Sequence, residues 1–168
     1  MTKKLKIKTG VPTLTTKGKT EKISGILTGV SGEYFVAAEL SRRGYICSVT
    51  LKNTKGIDIL VTNESATRTI GIQVKTNQND RRAWVLNNKA EEFYADDLFY
   101  VFVNLIGIGQ LSEYYIVPSK TVADKVKTGY KAWLGTLGKK GQTHNDTQMR
   151  IFEDQEHEYF GKWDKLKL

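Results

Sequence analysis

Residues 98–105, LFYVFVNL, constrain the fold of this chain more than any other stretch. They are almost continuously apolar, rich in β-branched and aromatic types, and too short for a typical helix. Such a run reads as a central strand buried on both faces. The elements around it follow an irregular order. A helix is expected from Gly25, with Thr28 or Ser31 as its cap and Gly44 as the left-handed stop behind Arg42 and Arg43. Next come a strand over 45–51, two strands within 55–76, a short helix over 89–95, the central strand, and a strand over 113–117. Pro118 and Ser119 open a helix to about Lys127, and Asn145-Asp146 cap a last helix from about Thr147. That order implies an α/β fold, a mixed central sheet flanked by helices, rather than regular βαβ alternation.

The two strands within 55–76 carry the chemistry. Ile57, Ile59 and Val61 alternate with Asp58 and Leu60, and Ile70, Ile72 and Val74 alternate with Gly71, Gln73 and Lys75. Strand side chains alternate faces, so Gln73 and Lys75 share one side and the apolar set takes the other. Asn63-Glu64-Ser65 is turn chemistry. If Thr62 and Thr69 close the hairpin, Asp58 falls opposite Gln73, with Cβ atoms about 5 Å apart. The simpler reading of this polar face is ordinary solvated strand surface. The other is a site where an acid, an amide and an amine converge. In the first helix, Glu33 extends the apolar stripe of Val36, Ala37 and Leu40 back by one turn. It either complements the helix dipole or supplies an inward carboxylate that needs a partner or a metal.

Composition narrows the function classes. At 168 residues the chain has the length of one domain, and 39% hydrophobic with 26% charged residues fits a globular protein. No run approaches a membrane span, and no apolar signal core follows the lysine-rich start. The lone Cys47 cannot form an internal disulfide, which fits a reducing, cytoplasmic setting. Two distant histidines and one cysteine give no zinc spacing, and no phosphate loop or Ser/His/Asp order is present. Net charge is +8, and residues 1–22 alone hold seven lysines against Glu21. This segment, taken as a basic arm over 1–24 ahead of a single domain over 25–168, is either a solubilising tail or a phosphate-contact arm. On the second reading Lys17 and Lys19 hold nucleic acid. Residues 77–84, NQNDRRAW, read as a polar loop in which Arg81 and Arg82, beside Trp84, are either solvated or contact phosphates and bases. Met149, Phe152, Phe160 and Trp163 are expected to pack a C-terminal helical extension.

An inward Glu in a helix ending at Gly, then a strand, then GxD, then QxK resembles the PD-(D/E)XK nuclease superfamily. The carrying segments are GEYFVAAELSRRGY with Glu33, GIDILV with Asp58, and IQVKT with Gln73 and Lys75. The resemblance spans about residues 30–76 and extends to the restriction-endonuclease-like and Holliday junction resolvase branches. It implies a restriction-endonuclease-like core and an endonuclease that hydrolyses phosphodiester bonds, in DNA foremost, with Mg²⁺ or Mn²⁺. It also implies roles: Asp58, the Gln73 amide oxygen, the Val74 carbonyl and Glu33 at the metal, and Lys75 at the attacking water. Gln73 stands where the superfamily usually has Asp or Glu, leaving two carboxylates instead of three. Cutting both strands with one small domain favours a homodimer. Two other classes stay open: a non-catalytic nucleic-acid-binding module on the same fold, and a structural subunit of a larger assembly.

Overall fold

The computed structural model describes residues 23–51, 56–79 and 81–168. The arm lysines, Lys17 and Lys19 among them, lie outside the described residues. The chain runs through α1 (Gly25–Arg42), β1 (Ile46–Val49), β2 (Ile59–Thr62), β3 (Thr69–Asn77), β4 (Ala83–Asn87) and a 3₁₀ turn (Asn88–Glu91). It continues through β5 (Leu98–Asn104), β6 (Glu113–Pro118), α2 (Ser119–Leu134), β7 (Met149–Glu153) and a second 3₁₀ turn (Trp163–Leu166). The fold is α/β, with a mixed five-stranded sheet in the order β1-β2-β3-β5-β6. Only the β3–β5 pair is parallel; the other neighbours in the sheet are antiparallel.

Period-two patterning sorts the side chains between two cores. Ile59, Val61, Ile70, Ile72 and Val74 face α1, where they meet Val36 and Leu40. Tyr100 and Phe102 face the other way, toward α2 and a separate two-stranded ribbon of β4 and β7. β5 is buried at every residue because it feeds both cores, as its unbroken apolar run requires. The C-terminal turn crosses to the α1 side, where Trp163 and Leu166 join the first core and the Arg43 guanidinium lies over the Trp163 ring.

α1 begins one turn earlier than its expected caps, at Ser24, whose hydroxyl accepts from the Leu27 N–H. Thr28 instead turns its own hydroxyl back onto the Ser24 carbonyl. Gly44 does take the left-handed conformation, with φ of 88°. The buried stripe is Thr28, Gly32, Val36 and Leu40, not one running through Glu33. Gly32 explains the offset: a Cβ there would overlap the Thr76 hydroxyl of β3, so the helix approaches the sheet on its glycine. Glu33 consequently flanks the contact and is only half-buried.

The expected last helix from about Thr147 is instead a strand, β7, followed by the 3₁₀ turn over Trp163–Leu166. Arg150, Phe152 and Asp154 are buried while Met149, Ile151 and Glu153 are exposed, a period of two. Burying Arg150 hid that alternation from a hydropathy reading. Its guanidinium pairs with Glu91, donates to the Thr147 carbonyl and lies over the Tyr130 ring. Of the four expected packing residues, Phe152 and Trp163 are buried, and Met149 and Phe160 are exposed. The expected helix over 89–95 is only one 3₁₀ turn, capped by the Asn87 side chain, and α2 runs to Leu134.

Residues 77–84 are not one polar loop. β3 extends to Asn77, β4 starts at Ala83, and Trp84 is 2% exposed, so it is no base-contact aromatic. Its indole N–H donates to the Val103 carbonyl, 2.9 Å, which fastens the ribbon to the central sheet. Gln78 pins α1: its side-chain amide donates to the Ile23 carbonyl, and its carbonyl accepts from the Ile23 N–H.

Candidate active site

The hairpin closes at Thr62 opposite Thr69, the register assumed from the sequence. Asn63 makes the turn, its side-chain oxygen accepting from the backbone N–H groups of Thr67 and Arg68. β2–β3 pairing ends at Ile59 opposite Ile72, and one step further places Asp58 opposite Gln73. Two bonds hold Asp58 there. Its N–H donates to the Ile72 carbonyl, 2.8 Å, and its Oδ2 accepts from the Val74 N–H, 2.7 Å. They bracket Gln73 on both sides. Oδ2 is thereby engaged with backbone. A residue in an extended strand directs its N–H and C=O the same way, so the Val74 carbonyl also faces the edge where Asp58 sits.

Gln73 and Lys75 lie on the opposite sheet face from α1, beside Tyr100 and Phe102 in the parallel β3–β5 register. They open into a cavity of about 410 Å³. Its far side comes from residues that local sequence patterns do not point to: Asn87 and Lys89 at the β4–3₁₀ junction, and Phe93 just beyond. Their only signal was the Asn87-Asn88 turn chemistry, which marks a helix start and not a wall. Gly56 completes the recess, with φ of 64°; a Cβ there would overlap the Phe93 ring.

Glu33 and the two arginines are placed differently. Glu33 stands on α1, on the other side of the sheet from the Gln73 and Lys75 side chains, and does not line the cavity. Arg81 is exposed in the β3–β4 turn. Arg82 is committed to the C-terminal segment, where it donates to the Gln155 carbonyl.

Electrostatics ties Tyr100 to the site. Its pKa is pushed up to about 12, first by burial and then by the Asp58 carboxylate, so the phenol stays neutral beside Lys75. Tyr115, in the same core, is also pushed up to about 12, by burial first and then by its hydrogen bond to Glu113. Folded phenols that keep their protons above the ordinary value of 10.0 stabilise fully below that pH, and the contribution is lost as pH rises toward about 12. The melting temperature is therefore expected to fall over that window. Tyr100→Phe should flatten the fall, and phenolate absorbance during a pH titration checks both.

Among the described residues no group of three or more His, Cys, Asp or Glu could hold a metal ion. The donors that do share one edge are a carboxylate, a side-chain amide and a backbone carbonyl. These are hard oxygens, suited to Mg²⁺, which binds through one or two carboxylates and keeps several waters. No helix among the described residues is long and apolar enough to cross a membrane.

No family model matches this chain, and no curated protein matches it. Among solved structures, that of a bacterial homing endonuclease aligns with a TM-score of 0.48 at 14% identity, covering 86% of this chain and 92% of that one.

Proposed function

We propose that the chain is a metal-dependent nuclease that hydrolyses phosphodiester bonds in nucleic acid, DNA foremost, in the manner of the PD-(D/E)XK superfamily. The observation that carries this reading is the registration of Asp58 opposite Gln73, with Lys75 two residues on, beside a cavity on a sheet face that α1 does not cover. A bound Mg²⁺ or Mn²⁺ supplies charge neutralisation at the phosphoryl oxygens and lowers the pKa of an attacking water.

The chain's own residues do the rest. Asp58 offers Oδ1, since Oδ2 accepts from Val74, and that bond fixes the carboxylate's orientation. Gln73 would offer its amide oxygen and Val74 its carbonyl to the same ion, whereas Glu33, on α1 across the sheet, stands outside this set. Lys75 orients the attacking water and stabilises the charge developing on the phosphate as an ammonium. Arg81 and the arm lysines Lys17 and Lys19 hold the phosphate backbone. Arg82, already occupied by the Gln155 carbonyl, contributes less. The lack of a carboxylate triad among the described residues favours one rival, a binding module that retains the fold without turnover.

Gln73→Glu separates the two. It is expected to keep or raise Mg²⁺-dependent cleavage and to tighten the ion. Without metal, the introduced carboxylate and Asp58 repel, so the variant should melt below wild type. With metal the order should narrow or reverse, because an ion bound only to the native state adds about 2.7 kcal/mol at a hundredfold excess over Kd. Melting curves in EDTA and across a Mg²⁺ series, with DNA cleavage assayed in parallel, measure this. Identical ion responses in the two proteins, with no cleavage by either, would leave the binding module.

A further inference from the structure

Among the described residues β7 has β4 as its one strand partner, and its other edge is open. Two bonds flanking that pair, from the Asp154 N–H to the Arg82 carbonyl and from the Asn88 N–H to the Gln148 carbonyl, fix its phase. An antiparallel ladder bonds at every second residue, so Ile151 and Glu153 turn their N–H and C=O groups toward the open edge. Their side chains, with that of Met149, line a cavity of about 490 Å³ against Gly129, Tyr130 and Trp133 of α2. The apolar faces there are accessible: Met149 is 51% exposed, Ile151 46% and Trp133 39%. The indole is nonetheless held in place, stacked on His144 and Tyr130. Gly129 weakens the interior of α2, and a Cβ there would meet nothing within 4 Å, so packing does not require it. Its effect is to keep the groove wall low.

Free backbone groups beside apolar side chains make a strand edge a template for another strand, which proteins normally blunt or cover. The chain itself holds a matching segment. Residues 4–9, KLKIKT, outside the described residues, alternate polar side chains with Leu5 and Ile7, the period of a strand. Their charge suits the groove. Glu153 stands at one end and Asp146, bonded to the Tyr130 hydroxyl, at the other, and neither is in an ion pair among the described residues. The fourteen positions from Thr9 to Ile23 span up to roughly 46–50 Å, against a radius of gyration of about 15 Å for a domain of this length.

We propose that residues 4–9 dock in this groove as a strand added to the open edge of β7. Leu5 and Ile7 lie against Trp133, Met149 and Ile151, and the flanking lysines reach Asp146 and Glu153. The basic arm is thereby fixed at the groove as well as at Ile23, which Gln78 holds. The inference stands apart from the nuclease reading.

The test compares the full chain with its Leu5→Asp/Ile7→Asp variant, whose changes touch no described residue. Amide hydrogen exchange followed by NMR reads the edge directly. An arm docked nine-tenths of the time slows exchange at Ile151 and Glu153 roughly tenfold relative to the variant. Acrylamide quenching reads the groove wall, because Trp84 and Trp163 are buried and Trp133 is not. Quenching should be weaker in the wild type. A synthetic peptide of residues 1–12, added to the variant, should restore both signals, and a scrambled peptide of the same composition should not. Equal exchange and quenching in the two chains overturns the proposal, as does equal rescue by the scrambled peptide. Protection that persists in the variant and falls on dilution also overturns it, since a second copy would then occupy the edge.

Discussion

Lys75→Ala and Asp58→Asn are each expected to lower cleavage on the order of 10²–10³-fold while binding survives, the usual effect of removing one group that stabilises transition-state charge. Affinity should persist because it comes mainly from phosphate contacts elsewhere on the surface. Asparagine is the informative replacement at position 58. Asp58 does two things, and its Oδ2 is the acceptor for the Val74 N–H at 2.7 Å. Alanine would strand that donor at a cost of about 1–3 kcal/mol and confuse a catalytic loss with local unfolding. An amide oxygen keeps the bond and removes the charge. Nicking of supercoiled DNA with Mg²⁺, alongside filter binding, gives both quantities. Wild-type cutting by both variants would mean the catalytic centre is elsewhere.

The largest stability effect is expected at Trp84. Its ring packs against Phe102 and Tyr115, with centroids 5.1 and 5.0 Å away, and against Phe152 of β7. Truncation of a buried tryptophan to alanine costs about 3–5 kcal/mol. The Val103 carbonyl also loses the indole N–H that links the ribbon to the sheet. Trp84→Phe keeps most of the packing and loses the bond, so it should fall between wild type and Trp84→Ala. Urea unfolding measures the series. A Trp84→Ala midpoint equal to wild type would mean the ribbon is not coupled to the sheet, and the cavity wall that β4 provides would be movable.

Legibility in the sequence followed the range of the interactions. The Asn63 turn and the faces of β2 and β3 depend on residues close in sequence and could be read from alternation, and the assumed Thr62–Thr69 closure, which puts Asp58 opposite Gln73, is the register found. β5 was readable because burial on both faces leaves an apolar run. β4 and β7 were not. Each needs the other, and β7 puts Arg150 in its buried register, where a pairing with Glu91 and the Tyr130 ring offsets the burial of charge. Glu33 was assigned to the buried stripe because apolar periodicity does not count a glycine. Gly32 was the residue in contact, and its role depends on Thr76 in a different element. The Lys89 and Phe93 side of the cavity was hidden for the same reason: nothing local says that a 3₁₀ turn will stand across from Lys75.

The pairing of β4 with β7 joins residues more than sixty positions apart, from Ala83 with Glu153 to Asn87 with Met149. The five-stranded sheet, by contrast, has all its strands once Pro118 has been made. Translation proceeds at about 5–20 residues per second, and non-local pairings wait for their loop to close. A nascent chain therefore holds Asp58, Gln73 and Lys75 for some seconds before residues 149–153 are made to pair with β4. The acidic and basic groups belong to an early stage of synthesis, and the walled recess around them to the last.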